Sequence, residues 1–292
     1  MGRQGGNRLG SVLVLSALTA VGLGVVLYFA STSVAWFATS PTQDSHFGAL
    51  NHCLMQHVPS NRAGFAVSKD ATRAATFNDR GLAVCGSDGT GRFVALPGIS
   101  RLSWDHGGTL WIAASTRDAA GGSGLWRLRG EGAPEQIGAL STVALAGHTA
   151  GVAALESSGK LVSFGEDGQG LGFFELPARA DAHAELVADS EGELLAVVMH
   201  SGLWILRARD LSPVRAESPC DAEFLWWLPQ PGSALVSCGP NGSWTLSYQA
   251  LTGARETVPQ RERFRSTLVS RSGLYARACD GLPCTAPAPA DL

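Results

Sequence analysis

The sequence predicts an all-β chain: a β-propeller of about six blades, with a range of five to seven, behind a single N-terminal transmembrane helix. Three observations predict it. A Trp-centred phrase recurs at a regular interval, two families of glycine turns recur with it, and one long uncharged run opens the chain.

The phrase is Gly124-Leu125-Trp126-Arg127-Leu128, then Gly202-Leu203-Trp204-Ile205-Leu206, then Gly242-Ser243-Trp244-Thr245-Leu246. The separations are 78 and 40 residues, two units and one unit of about 39, an interval that marks repeated sheet units. The last two copies agree beyond the Trp, since Leu211, Ser212 and Arg215 are answered by Leu251, Thr252 and Arg255.

The apolar run comes first in the chain. From Leu9 to Phe37 no residue is charged, Arg3 and Arg8 precede it, and no acidic residue occurs before Asp44. About 20 apolar residues cross a bilayer as a helix, and flanking arginines stay in the cytoplasm. The expected layout is a short cytoplasmic end (1–8), a signal-anchor helix (9–37), a linker (38–46), the propeller (47–286) and a tail (287–292). The rival is a signal peptide cleaved near Ser33-Val34-Ala35, although such apolar cores usually run only about 7–15 residues. Arginine greatly outnumbers lysine, a bias that suggests a GC-rich bacterial genome. The localisation expected is therefore the cytoplasmic membrane, single-pass, with the domain on the periplasmic side.

Cys53, Cys85, Cys220, Cys238, Cys279 and Cys284 all follow the anchor, an even number suited to disulfides in an oxidising compartment. Cys279 and Cys284 flank Asp-Gly-Leu-Pro, and Cys220 and Cys238 end two apolar runs joined by Pro229-Gln230-Pro231-Gly232. That leaves Cys53 for Cys85, with six buried thiols as the alternative.

The first turn family is Asp79-Arg80-Gly81, Asp105-His106-Gly107, Ser157-Ser158-Gly159, Ser190-Glu191-Gly192, Gln230-Pro231-Gly232 and Arg271-Ser272-Gly273. The second is Asp88-Gly89, Ser123-Gly124, Asp167-Gly168, Ser201-Gly202, Asn241-Gly242 and Asp280-Gly281, spaced about 38 residues apart on average. Such pairs supply the positive φ of tight hairpins. Between them lie apolar runs such as Leu161 to Phe164 and Leu194 to Met199, with little alternation, as strands covered on both faces require. Arg92 to Leu96 and Phe173 to Leu176 are expected as third strands, with no outer strand in the first and third units.

At these residues the chain resembles the WD-repeat and YVTN-like propeller superfamily. The match is Trp244-Thr245-Leu246 with Leu251-Thr252-Gly253, and more loosely Trp204 with Leu211-Ser212-Pro213. The Trp-Asp dipeptide occurs as Trp104-Asp105, in a different strand. The resemblance implies a platform and brings no catalytic residues, because the superfamily shares none.

Candidate chemistry is sparse. His46, His52, Cys53, Met55 and His57 form the densest metal-like cluster, and an extended strand would set Cys53, Met55 and His57 on one face for copper. Asp189, Glu191 and Glu193 straddle one turn and could serve calcium, with a solvated acidic hairpin as the plainer reading. Arg261, Arg263 and Arg265, near Arg255, form the one basic concentration, suited to an anionic polymer or lipid headgroups; a charged strand edge that prevents pairing is the alternative. Trp126, Trp204 and Trp244 are expected between sheets. Trp226 and Trp227, adjacent on a strand, must face opposite ways, so one of them is a candidate partner contact.

Gly168 to Gly172 lacks the Lys-Ser/Thr of a phosphate loop, Ser157-Ser158-Gly159-Lys160 lies on a hairpin, and no His-Glu-x-x-His or Gly-x-Ser-x-Gly occurs. After the anchor the balance is 20 basic to 25 acidic groups, the wrong sign for a nucleic-acid binder. The expected function is a non-enzymatic binding or scaffold module for a protein or cell-envelope polymer, with no cofactor. The alternatives are a hydrolase or lactonase with a metal in the channel, and copper binding by the His46 to His57 segment.

Overall fold

The structure, a computed structural model, describes residues 41–115, 123–181, 183–200, 202–217, 220–239, 243–258 and 266–288. The expected anchor lies outside these residues, and among the described residues no helix is long and apolar enough to cross a membrane.

After a 3-10 turn (Pro41–Gln43) and a helix, α1 (Gly48–His57), the regular elements among the described residues are all strands. Blade 1 is β1 (Gly64–Val67), β2 (Arg73–Phe77), β3 (Leu82–Gly86) and β4 (Gly91–Val94). Blade 2 is β5 (Ile99–Trp104), β6 (Leu110–Ser115), β7 (Ser123–Leu128) and β8 (Glu135–Gly138). Blade 3 is β9 (Thr142–His148), β10 (Gly151–Glu156), β11 (Lys160–Gly165) and β12 (Gly170–Glu175). Blade 4 is β13 (Glu185–Ala188), β14 (Leu194–Met199), β15 (Gly202–Arg207) and β16 (Pro213–Glu217). Blade 5 is β17 (Ala222–Trp227), β18 (Ser233–Cys238), β19 (Trp244–Gln249) and β20 (Arg255–Val258). Blade 6 is β21 (Ser266–Leu268), β22 (Tyr275–Cys279) and β23 (Leu282–Ala286). Each sheet is an antiparallel meander in chain order, and the first strands of successive blades touch one another around an axis. The protein is a six-bladed β-propeller.

Two units differ from expectation by one strand. Leu82–Gly86 and Lys160–Gly165 are third strands, so the runs beginning at Arg92 and Phe173 are outer strands, and blades 1 and 3 are four-stranded. The misalignment has a local cause. In blade 1 the turn between the first two strands is closed by Ala71 at φ 58°, where blades 2, 4, 5 and 6 use Gly108, Gly192, Gly232 and Gly273 at φ 67–84°. In blade 3 only Thr149 and Ala150 separate β9 from β10. Neither turn has the glycine that marks the others, so glycine spacing alone points to the next turn along.

The blades are hydrophobic on both faces because each is sandwiched. Every residue of β14 is buried, as are the first five of β6 and of β10. Leu155, Leu195 and Leu206 pack between blades 3 and 4, and Val198, Val236 and Leu246 between blades 4 and 5. Gly147 shows how closely the inner strands approach: a Cβ there would lie 1.9 Å from the carbonyl oxygen of Trp104.

The ring closes through its N-terminal segment. Blade 6 has three strands among the described residues, and the edge of β23 is met by side chains instead of a fourth strand. Asn51, fully buried on α1, donates from Nδ2 to the carbonyls of Pro283 (2.8 Å) and Pro41 (2.7 Å). Asp44 accepts from Thr285 N (2.6 Å) and Thr285 Oγ1 (2.9 Å) on one side, and from His46 N and Phe47 N on the other. The segment read as a plain linker thus contributes Asp44 to the seam. Cys53–Cys85, with Cα atoms 6.0 Å apart, ties α1 to blade 1. Cys220–Cys238 and Cys279–Cys284 also form, as expected, with Cα separations of 5.6 and 5.8 Å.

Candidate functional site: the axial channel

The six innermost strands enclose an axial cavity of about 550 Å³, within the roughly 300–1,000 Å³ typical of ligand sites. Every blade contributes an apolar side chain to its wall, Phe65, Leu102, Leu145, Leu186 and Leu268 from five of them and both Phe224 and Trp226 from β17, and polar surface lines it to about the same extent. Polar groups enter at Arg101, Ser103, His183 and Glu185, and again at Lys69, His106, Asp189 and Ser190.

Those last four come from one family of turns, the connections between first and second strands. In four blades the turn opens with Ser or Asp, whose side-chain oxygen accepts from a backbone N–H four or five residues on. Ser68 takes Arg73 N (2.9 Å), Asp105 takes Thr109 N (2.8 Å), Asp189 takes Glu193 N (2.9 Å) and Ser270 takes Leu274 N (3.3 Å). With the opening residue so fixed, the next side chain is free to turn toward the axis. In blades 1, 2 and 6 that residue is Lys69, His106 and Arg271.

These side chains cross between blades. Lys69 Nζ lies 3.4 Å from His106 Nδ1. His106 also reaches blade 4, where a Cβ on Gly192 would touch its ring. Arg271 pairs with Glu191, linking blade 6 to blade 4. Burial pushes His106 down to about 4, and the charges of Lys69, His148 and Arg271 add to the effect. Its ring is therefore neutral at pH 7, with Nδ1 accepting from the lysine. Lys69 is lowered as well, by burial and by Arg271, against the pull of Glu191, Asp189 and Glu193. Burial raises Asp189 against its backbone hydrogen bonds.

His148, fully buried, does structural work. Burial takes it down to about 4. Its Nδ1 accepts from Ala150 N (3.2 Å), so Nε2 carries the proton and donates to Ser163 Oγ (3.0 Å), which donates to Ala208 O on blade 4.

The structure separates the residues singled out by sequence. Trp226 lines the channel beside Phe224, with ring centroids 6.4 Å apart, while Trp227 faces the other way and donates from Nε1 to Val187 O at 3.0 Å. Arg261, Arg263 and Arg265 lie outside the described residues. Trp126, Trp204 and Trp244 all fall in third strands, and the first two pack toward the preceding blade. Trp244 corrects the expectation: at the start of β19 it is 36% exposed.

The proposed copper face does not form, because residues 48–57 are helical and Met55 turns away from Cys53 and His57. Cys53, Cys85 and His57 do converge to within 4.8 Å, but the two sulfurs are bonded to each other. The acidic turn does not converge on a cation site either. Asp189 holds backbone, Glu191 holds Arg271, and Glu193 accepts from Thr149 Oγ1 at 3.4 Å. Among the described residues no cluster of three or more His, Cys, Asp or Glu ligand atoms lies in the channel.

No family model and no curated protein sequence matches the chain. A chain in the crystal structure of the mitotic checkpoint complex matches with a TM-score of 0.51 at 15% identity, over 78% of this chain and 80% of that one. The likeness is to a WD-repeat propeller and concerns the fold. In all, 811 solved chains match, so the architecture by itself selects no function.

Proposed function

We propose that the protein is a membrane-tethered, extracytoplasmic propeller that binds a protein partner at the mouth of its axial channel and performs no chemistry on it. The observation that carries the reading is the channel itself. Its wall mixes apolar and polar surface, with Phe224 and Trp226 side by side and charged groups placed along it at Lys69, Arg101, Glu185 and Asp189. That composition suits recognition, in which aromatic side chains give contact area and placed polar groups fix orientation. The checkpoint-complex propeller sits in a protein assembly, which favours a protein over a cell-envelope polymer as the partner class. Membrane attachment and export rest on the uncharged run from Leu9 to Phe37, the arginines before it and the disulfide-bonded cysteines after it.

The test is a photo-cross-linking residue placed at Arg101, exposed and lining the channel, with Asp88 on an outer turn as the control. A discrete protein adduct at Arg101 and none at Asp88 supports the reading. Equal labelling at both positions, or none at Arg101, defeats it.

A further inference from the structure

Among the described residues five outer strands rim the propeller, and one differs from the rest. β4, β8, β16 and β20 are four or five residues long and carry Arg92, Glu135, Pro213 with Arg215, and Arg255 with Glu256. Charge, proline and brevity keep sheet edges from pairing with other strands. The edge of β23 is covered by Asp44 and Asn51. β12, Gly170-Leu171-Gly172-Phe173-Phe174-Glu175, is six residues long, has no proline, bears one charge at its far end, and is regular from Gly172 to Glu175 beyond a β-bulge at Leu171. That charge, Glu175, has Lys160 as its cross-strand neighbour on β11. Phe173 is 66% exposed and Leu171 37%.

Hydrogen-bond parity fixes which backbone groups face away from the sheet. Leu176 N donates inward to Gly159 O at 3.0 Å. The N–H and C=O of a residue point to one side and successive residues alternate, so Phe174 faces β11 while Phe173 and Glu175 present their groups outward.

We propose that β12 pairs antiparallel with β12 of a second copy about a two-fold axis, joining two third blades into one continuous sheet. Parity sets Phe173 opposite its own copy, an aromatic cross-strand pair of a kind that stabilises sheets. The regular pairing runs from Gly172 to Phe174 about that centre, and the antiparallel arrangement keeps the two Glu175 carboxylates at opposite ends, each beside the bulge at Leu171 of the other copy. The contact is isologous and closes at two.

The test uses the full-length chain. The parent sediments at twice the monomer mass, and Phe173→Lys, which sets two ammonium groups across the axis at an exposed position, halves it. All six cysteines are bridged, so Phe173→Cys adds the single reactive thiol, and a short bis-maleimide joins two chains in the cells that make the protein. Asp88→Cys, on an outer turn of blade 1, gives no such dimer. A monomeric parent, a dimer unaffected by Phe173→Lys, or Phe173→Cys joined only to a different protein overturns the proposal.

Discussion

Replacing Asp44 by Ala is expected to loosen the ring at its closure. The carboxylate is 7% exposed and accepts four hydrogen bonds, two from Thr285 on the last strand and two from backbone before α1. The N–H groups of His46 and Phe47 lie at the chain surface or the helix entry, and losing an Asx-type cap there costs about 0.5–2 kcal/mol. Thr285 N, on the edge of β23, has no replacement, and an orphaned buried donor costs about 1–3 kcal/mol. Together roughly 2–4 kcal/mol is lost, a fall in Tm of roughly 5–15 °C for a chain of this size. Asp44→Asn supplies the pH test. Burial alone would raise the Asp44 carboxyl, but the hydrogen bonds from Thr285, Phe47 and His46 outweigh it and hold it below its ordinary 3.8. A carboxyl lowered on folding adds stability that is complete above the ordinary value and is lost as pH falls through the folded one. The gap in Tm between parent and Asp44→Asn should therefore be constant above about pH 5 and narrow below pH 4. Calorimetry across that range decides it: an Asp44→Ala protein that melts with the parent, or a gap that stays open in acid, refutes the closure argument.

Other expectations follow from the same structure. Cys53→Ser with Cys85→Ser opens a staple spanning 32 residues and should cost about 3–4 kcal/mol by the chain-entropy account, read by denaturant titration. Trp204→Ala, at 8% exposure, should cost about 3–5 kcal/mol. Trp244→Ala, at 36%, should cost under about 1 kcal/mol despite the matching motif; similar losses at both sites would contradict the blade assignment. His106, held down to about 4, should show no imidazole titration by NMR between about pH 5.5 and 8, and Lys69→Met should move its midpoint upward by removing one of the charges that lowers it.

The blade repeat was legible because a hairpin must reverse the chain, and reversal needs residues that tolerate positive φ; Gly192, Gly232 and Gly273 mark those points plainly. Where Ala71 takes the same conformation, or a two-residue turn suffices after His148, the mark vanishes, and glycine spacing alone sets the strands of blades 1 and 3 one place off. The disulfide pairs could be read because each remaining choice was short in sequence or left by elimination. The channel end could not. Lys69, His106 and Arg271 occupy the same position of equivalent turns, but only aligned turns reveal that, and blade 1 was misaligned.

Periodicity, composition and cysteine placement are properties of the chain, and by themselves they determined that sheets must stack to bury two greasy faces and that the cysteines would staple them. Tertiary structure alone decided that α1 and Asp44 cover the edge of β23 at the seam, that Trp244 is left partly in water, and that β12 is the outer strand with an exposed phenylalanine. Each depends on what neighbours a group once the ring has closed, and neighbours brought together across a ring leave no fixed spacing in the sequence.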